Sequence, residues 1–155
     1  MADPFSVIAS TVSVASAGIA LSTTLYTFAE TAYRADKTVK DIAQDVSLTS
    51  AVLHELGHLI EQDSKARLCS ESALSTADQA IKGCGNVFTE INFILSKSLK
   101  RVGSGGKNTV STFGKLKWPF MEKKMELLRS NLERLKTTLL LLLNVLSYAR
   151  KLGFE

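Results

Sequence analysis

Twenty-five consecutive residues, Phe5 to Ala29, carry no charge at all. The stretch reads FSVIASTVSVASAGIALSTTLYTFA, with Asp3-Pro4 in front of it and Glu30 behind. At about 1.5 Å of rise per residue a helix of this length could cross a bilayer. Ten of its residues are Ser, Thr or Gly, however, so its hydrophobicity is only borderline for that task. Two solvents suit it. In water other helices must cover it; in lipid its hydroxyls can bond back to their own helix carbonyls or to neighbouring helices. The rest of the chain has to accommodate this segment, and the functional question is whether it leaves the protein.

At 155 residues the chain is sized for one domain with its own core. Hydrophobic residues at 45% and charged residues at 22% give a globular rather than a disordered balance. The net charge of +4 conceals an asymmetry: residues 30 to 63 hold seven acids and three bases, whereas residues 102 to 155 hold four acids and ten bases. Cys69 and Cys84 form no CxxC pattern, which points to a reduced, intracellular protein. The amino terminus places an acid where a secretory signal carries Lys or Arg, so the expected location is the cytosol or its membrane face.

Asp3 and Pro4 suit the N-cap and first position of a helix covering the uncharged stretch. Within it, Ala9, Ser13 and Ala17, and likewise Ser16, Ala20 and Thr24, form rows of small residues that permit close helix contact. A second helix is expected from about Ala35 to Gln62, because Val39, Ile42, Val46, Thr49, Leu53, Leu56 and Ile60 alternate steps of three and four. Leu74, Ala77, Ile81, Cys84, Phe88, Ile91 and Leu95 predict a third over Glu71 to Arg101. Residues 103 to 109 read as a flexible Gly-rich linker, and residues 107 to 118 as a short amphipathic segment. Pro119 is expected to open a last long helix over 119 to 152, whose Leu139 to Leu143 run predicts a central place for its second half. Four long helices with no strand pattern define an all-α bundle with up-and-down neighbours.

His54-Glu55-Leu56-Gly57-His58 spells HExxH, which on a helix puts two imidazoles on one face beside a potential general base. A zinc hydrolase needs a third protein ligand, and these are the only two histidines. An acid could serve, and Glu61 lies one turn further on, but no edge strand is evident to align a peptide. The pair is read as a half-exposed bystander that binds metal adventitiously at most. The Gly103 to Thr109 segment lacks the Walker spacing, since Arg101 stands where the first glycine belongs and Asn108 follows Lys107. No catalytic residue, cofactor or small-molecule substrate is expected.

Lys97, Lys100, Arg101, Lys107, Lys115, Lys117, Lys123 and Lys124 are opposed only by Glu122, with Phe113, Trp118 and Phe120 among them. Bases interleaved with aromatics suit an anionic membrane surface, and these lysines, Arg101 and Trp118 are the candidate lipid contacts. No nucleic-acid recognition module is present.

The start MADPFSVIASTVSVASAG, the middle DVSLTSAVLHELG and the close KLKWPFMEKKMELLRSNLERLKTTLLLLLNVL resemble the fungal HeLo-like domain over nearly the whole chain. That domain is the amino-terminal part of fungal STAND NTPases of the NACHT or NB-ARC type and of related cell-death proteins. The resemblance implies a helical bundle similar in kind to the HeLo domain of heterokaryon incompatibility proteins. It further implies a cytoplasmic domain recruited to the plasma membrane on activation, where self-association or pairing with other HeLo-like or STAND proteins drives its first helix into lipid. On that reading Phe5, Val7, Ile8, Val12, Ala17, Gly18, Ile19, Leu21 and Leu25 are the candidate membrane-inserting residues. The rival expectation is a non-lytic helical interaction module of a STAND NTPase.

Overall fold

A computed structural model of the chain describes residues 3–31, 36–66, 70–102, 107–110 and 112–153. Side chains are described over 3–30, 37–62, 70–97 and 122–152. The elements are α1 (Pro4–Thr31), α2 (Asp36–Ala66), α3 (Glu71–Ser98), β1 (Leu99–Val102), β2 (Lys107–Val110) and α4 (Thr112–Gly153). The expected all-α bundle of four helices is the fold.

The helix starts follow their capping chemistry. The carbonyl of Asp3 accepts the first α1 bond from Val7 N–H at 3.0 Å, which makes Asp3 the N-cap and Pro4 the first helical residue. Ser70 caps α3, its Oγ accepting from Ala73 N–H at 3.1 Å.

Directions follow from the contacts. Thr11 of α1 lies against Gly57 of α2, and Ser22 Oγ of α1 donates to Ala43 O of α2, so α1 and α2 are antiparallel. Val14 meets Gly85 and Gly18 meets Phe88, so α1 and α3 run parallel. Thr38 Oγ1 donates to Glu122, and Arg129 Nε donates to Asp45, which sets α2 and α4 parallel. The result is the up-down-up-down bundle, in which α1 and α4 each lie against both α2 and α3. The predicted stripes of α2 and α3 are buried at every position, from Val39 to Ile60 and from Leu74 to Leu95. Fully burying one such large side chain contributes roughly 1.5–3 kcal/mol.

Four expectations change. First, residues on either side of the Gly-rich stretch pair as an antiparallel hairpin, Leu99 opposite Val110 and Val102 opposite Lys107, so Lys107 to Thr109 belong to a strand. The expected linker residues Gly103 to Gly106 lie outside the described residues. A pair of four-residue strands is too short to show in hydrophobic periodicity, and β1 takes over where the third helix was expected to continue to Arg101. Second, α4 begins at Thr112 and runs through Pro119, which there lacks the N–H for a bond to the carbonyl four residues back and crowds that carbonyl with its ring. Third, the second half of α4 is peripheral: Leu139 and Leu146 are buried, but Leu141, Val145, Tyr148 and Leu152 are exposed. An apolar run all round a helix does not say how many faces have neighbours. Fourth, the small residues Ala9, Ser13, Ser16, Ala17 and Ala20 face outward, and the close approach to α2 is made instead by Thr11, Gly18 and Ser22 against Gly57, Ser50 and Ala43.

Candidate functional site

Position along α1 decides which of its side chains the bundle uses. Val7, Thr11, Ala15, Gly18, Ser22, Leu25 and Ala29 follow steps of four or three and are buried, joined by Leu21 and Phe28. A flank remains in solvent. Phe5, Val12, Ile19 and Tyr26 recur every seventh residue, with exposures of 74%, 59%, 61% and 43%. Of the candidate insertion residues, Val7, Gly18, Leu21 and Leu25 are therefore core residues of the bundle. Phe5, Val12, Ala17 and Ile19 are exposed, and Ile8 is half-buried.

The hydroxyls of α1 are satisfied mainly within the helix. Thr11 donates to Ile8 O at 2.6 Å, and Thr23, Thr24 and Thr27 donate to Ile19, Ala20 and Thr23 carbonyls at 3.1 Å. Ser22, bonded to Ala43 O at 3.1 Å, bridges instead to α2. Along the α3 side, Ala17, Ala20, Leu21 and Thr24 line a shallow cleft of about 280 Å³ with Gly85 and Phe88. Among the described residues α1 is the one helix long and apolar enough to cross a membrane, with a mean hydropathy of 1.7 in its most apolar window and 33% of that window buried.

The basic candidates gather at one end of the bundle. Lys97 closes α3 and Lys123 and Lys124 lie near the start of α4, and the antiparallel course of these helices brings those ends together. All three are exposed, and the Lys97 ammonium sits 4.4 Å from the Phe93 ring centroid. Lys100, Arg101 and Lys107 lie on the hairpin and Lys115, Lys117 and Trp118 on the first turns of α4, with side chains outside the described set. Phe93, 56% exposed, was missed from sequence because the α3 stripe passes it by.

His54, Glu55 and His58 point to solvent from α2. Gln62 Nε2 lies 2.9 Å from His58 Nε2, within hydrogen-bond distance one turn along α2. Among the described residues no group of three His, Cys, Asp or Glu side chains is arranged to hold a metal ion. The glycine of HExxH has a packing reason: a Cβ at Gly57 would run into Thr11 of α1. Cys84 is buried, and desolvation pushes its thiol up to about 12, far from a reactive thiolate. Cys69 lies outside the described residues.

A four-helix up-and-down bundle whose features are an apolar exposed flank and a basic end belongs to the helical domains rather than to any strand-based architecture. The family model described as pigment biosynthesis cluster protein PigL N-terminal matches residues 2–151, and the chain belongs to that family of fungal helical domains. No curated protein and no solved structure matches it.

Proposed function

We propose that this chain is a membrane-directed, self-associating helical module of the HeLo-like kind, acting in regulated cell death and fungal innate-immunity signalling. Its working part is α1 and it carries out no catalysis. The observation that carries the reading is the exposed stripe Phe5, Val12, Ile19 and Tyr26 on a helix without one charge between Phe5 and Ala29. A core helix of similar hydropathy keeps most of its surface inside, whereas only 33% of the most apolar window of α1 is buried. Anionic lipid headgroups are the partners proposed for Lys97, Lys123 and Lys124, holding the cytoplasmic domain at the plasma-membrane face before insertion.

The test is Ile19→Glu. Because Ile19 is exposed, the folded bundle tolerates the charge, while insertion of the helix would cost roughly 2.5–3.5 kcal/mol more. The variant is expected to keep its helicity and thermal midpoint and to lose permeabilisation of anionic vesicles. Leakage at the unaltered rate would sink the role given to α1.

A second reading, a helical interaction module that never enters lipid, is favoured by the exposed face of α4, where Leu141, Val145, Tyr148 and Leu152 follow steps of four, three and four. Association in buffer with no binding to vesicles of any composition would favour it.

A further inference from the structure

The two ends of the bundle differ in charge. In the up-down-up-down course, α1 and α3 close at the end where α2 and α4 begin. The sequence from Lys97 to Lys124, which joins α3 to α4 there, holds eight bases and one acid, and residues 30–41, around the passage from α1 to α2, hold three of each. At the opposite end residues 61–71 hold two bases and three acids, and residues 150–155 two bases and one acid. Exposed apolar side chains occur toward both ends, Phe5, Tyr148 and Leu152 at the balanced one and Phe93 and Leu127 at the basic one. Charge therefore decides which of them face an anionic surface.

Phe93 and Leu127 lie on the outer surface that α3 and α4 share. On α4, Glu122 and Arg129 mark the flank that meets α2, and Leu127, two residues before Arg129, falls across the helix from it. On α3, Ile91 and Leu95 are buried, and Phe93 between them is turned away from the core. Leu135 against Gly83 sets the antiparallel register of these two helices directly. That register brings Phe93 within a turn of the level of Leu127, and Lys97 within a turn of the level of Lys123 and Lys124. The two apolar side chains, 56% and 71% exposed, thus have three exposed lysines on the side nearer the bundle end. The Lys97 ammonium, 4.4 Å from the Phe93 ring centroid, forms with it an apolar body beside a charged head, the combination that suits the boundary between headgroups and acyl chains.

We propose that Phe93 and Leu127 anchor the folded bundle in an anionic bilayer, entering the headgroup boundary while Lys97, Lys123 and Lys124 pair with lipid phosphates beside them. The inference rests on the membrane reading above and deepens it by naming the docking face and the orientation. Side chains at such a boundary reach only about 5–10 Å into it, so exposed residues suffice and the bundle docks without opening. Docked in this way, the Tyr26 end of α1 lies toward the headgroups, and Phe5 stands about 30 Å further along the helix, away from them. Docking and insertion of α1 are then separate steps that use different side chains.

The orientation is tested with single tryptophans. Trp118 is the chain's one tryptophan, so Phe93→Trp, Leu127→Trp and Tyr148→Trp are each made in a Trp118→Phe background. With vesicles of phosphatidylserine and phosphatidylcholine whose acyl chains carry bromine, emission at positions 93 and 127 is expected to shift to the blue and be quenched, and emission at 148 to stay as in buffer. A second measurement leaves Trp118 in place. Phe93→Ser with Leu127→Ser, both at exposed positions, should keep the thermal midpoint, lower vesicle partitioning at least about tenfold and retain its salt dependence. Quenching at 148 equal to that at 93, bound protein with no quenching at 93 and 127, or unaltered partitioning of the double serine variant would each overturn the anchor. Those results leave the membrane reading standing, because the chain still binds. A chain that binds no vesicle of any anionic content removes both.

Discussion

Gly18 on α1 faces Ser50 on α2 with no room between them for a methyl group. A Cβ there would also stand 2.8 Å from the Phe88 ring on α3, so this one position sets how closely α1 seats on both neighbours. Gly18→Ala is expected to destabilise the bundle by about 1–3 kcal/mol, the usual penalty of overpacking. Gly85→Ala is the control, since its Cβ would meet Val14 at an ordinary 3.4 Å and gain about 0.5–1 kcal/mol of helix propensity. Urea unfolding of the two variants checks the pair. Equal stabilities would mean that α1 is not seated as described.

Lys97→Gln, Lys123→Gln and Lys124→Gln together should weaken binding to anionic vesicles by roughly 1 kcal/mol for each charge removed, and flatten its dependence on salt. Co-sedimentation across a series of anionic lipid fractions measures this. Unaltered binding would return these lysines to the status of a solvated helix end.

The Arg129 to Asp45 pair ties α4 to α2, and its hydrogen bond raises the guanidinium pKa further. Asp45→Asn keeps the shape and removes the charge, and should cost roughly 1–2 kcal/mol in urea unfolding. A change below the error of that measurement would show that the pair is screened by solvent.

Cys84 in a Cys69→Ser background should resist thiol reagents in the native protein and react only on unfolding. Burial pushes its thiol from the ordinary 9.0 up to about 12, so both states hold the proton below pH 9 and no stability is lost there. Above pH 9 the unfolded chain releases the proton and the folded one does not, so stability falls between pH 9 and pH 12. Rapid native labelling at neutral pH would contradict this burial.

His54→Ala with His58→Ala should leave stability within about 0.5 kcal/mol, as for exposed surface substitutions, and leave any vesicle activity intact. Elemental analysis of tag-free protein is expected to find no stoichiometric zinc. Zinc at one equivalent, together with a hydrolytic activity lost in the double variant, would reverse the reading of HExxH.

How much the residues reveal beforehand depends on contrast. In α2 and α3 charged residues mark the outer face, so the stripes through Leu53 and Ile81 could be read directly and all of them are buried. In α1 no charge marks an outside, and hydrophobicity ranks Leu25, which is buried, with Ile19, which is not. Only the neighbours' shape separates them: Gly57 and Ser50 admit Thr11 and Gly18, and the four-and-three spacing from there fixes the rest. The same loss of contrast placed the Leu139 to Leu143 run at the centre, though among the described residues α4 packs mainly on its α2 and α3 sides. A signal for the missed hairpin exists in Leu99, Val102 and Val110 flanking a Gly-rich turn, but two such short strands are equally consistent with a linker.

The threonines of α1 have a kinetic meaning. Thr23, Thr24 and Thr27 take their acceptors with them wherever the helix goes, whereas Ser22 borrows its acceptor, Ala43, from α2. Detaching α1 would break the Ser22 bond to Ala43, and Ser22 can then turn to its own helix as its neighbours do. The activation barrier for such a departure would come from unseating Leu25 and Phe28 from the core, and a trigger would need to loosen that apolar grip rather than break a polar lock.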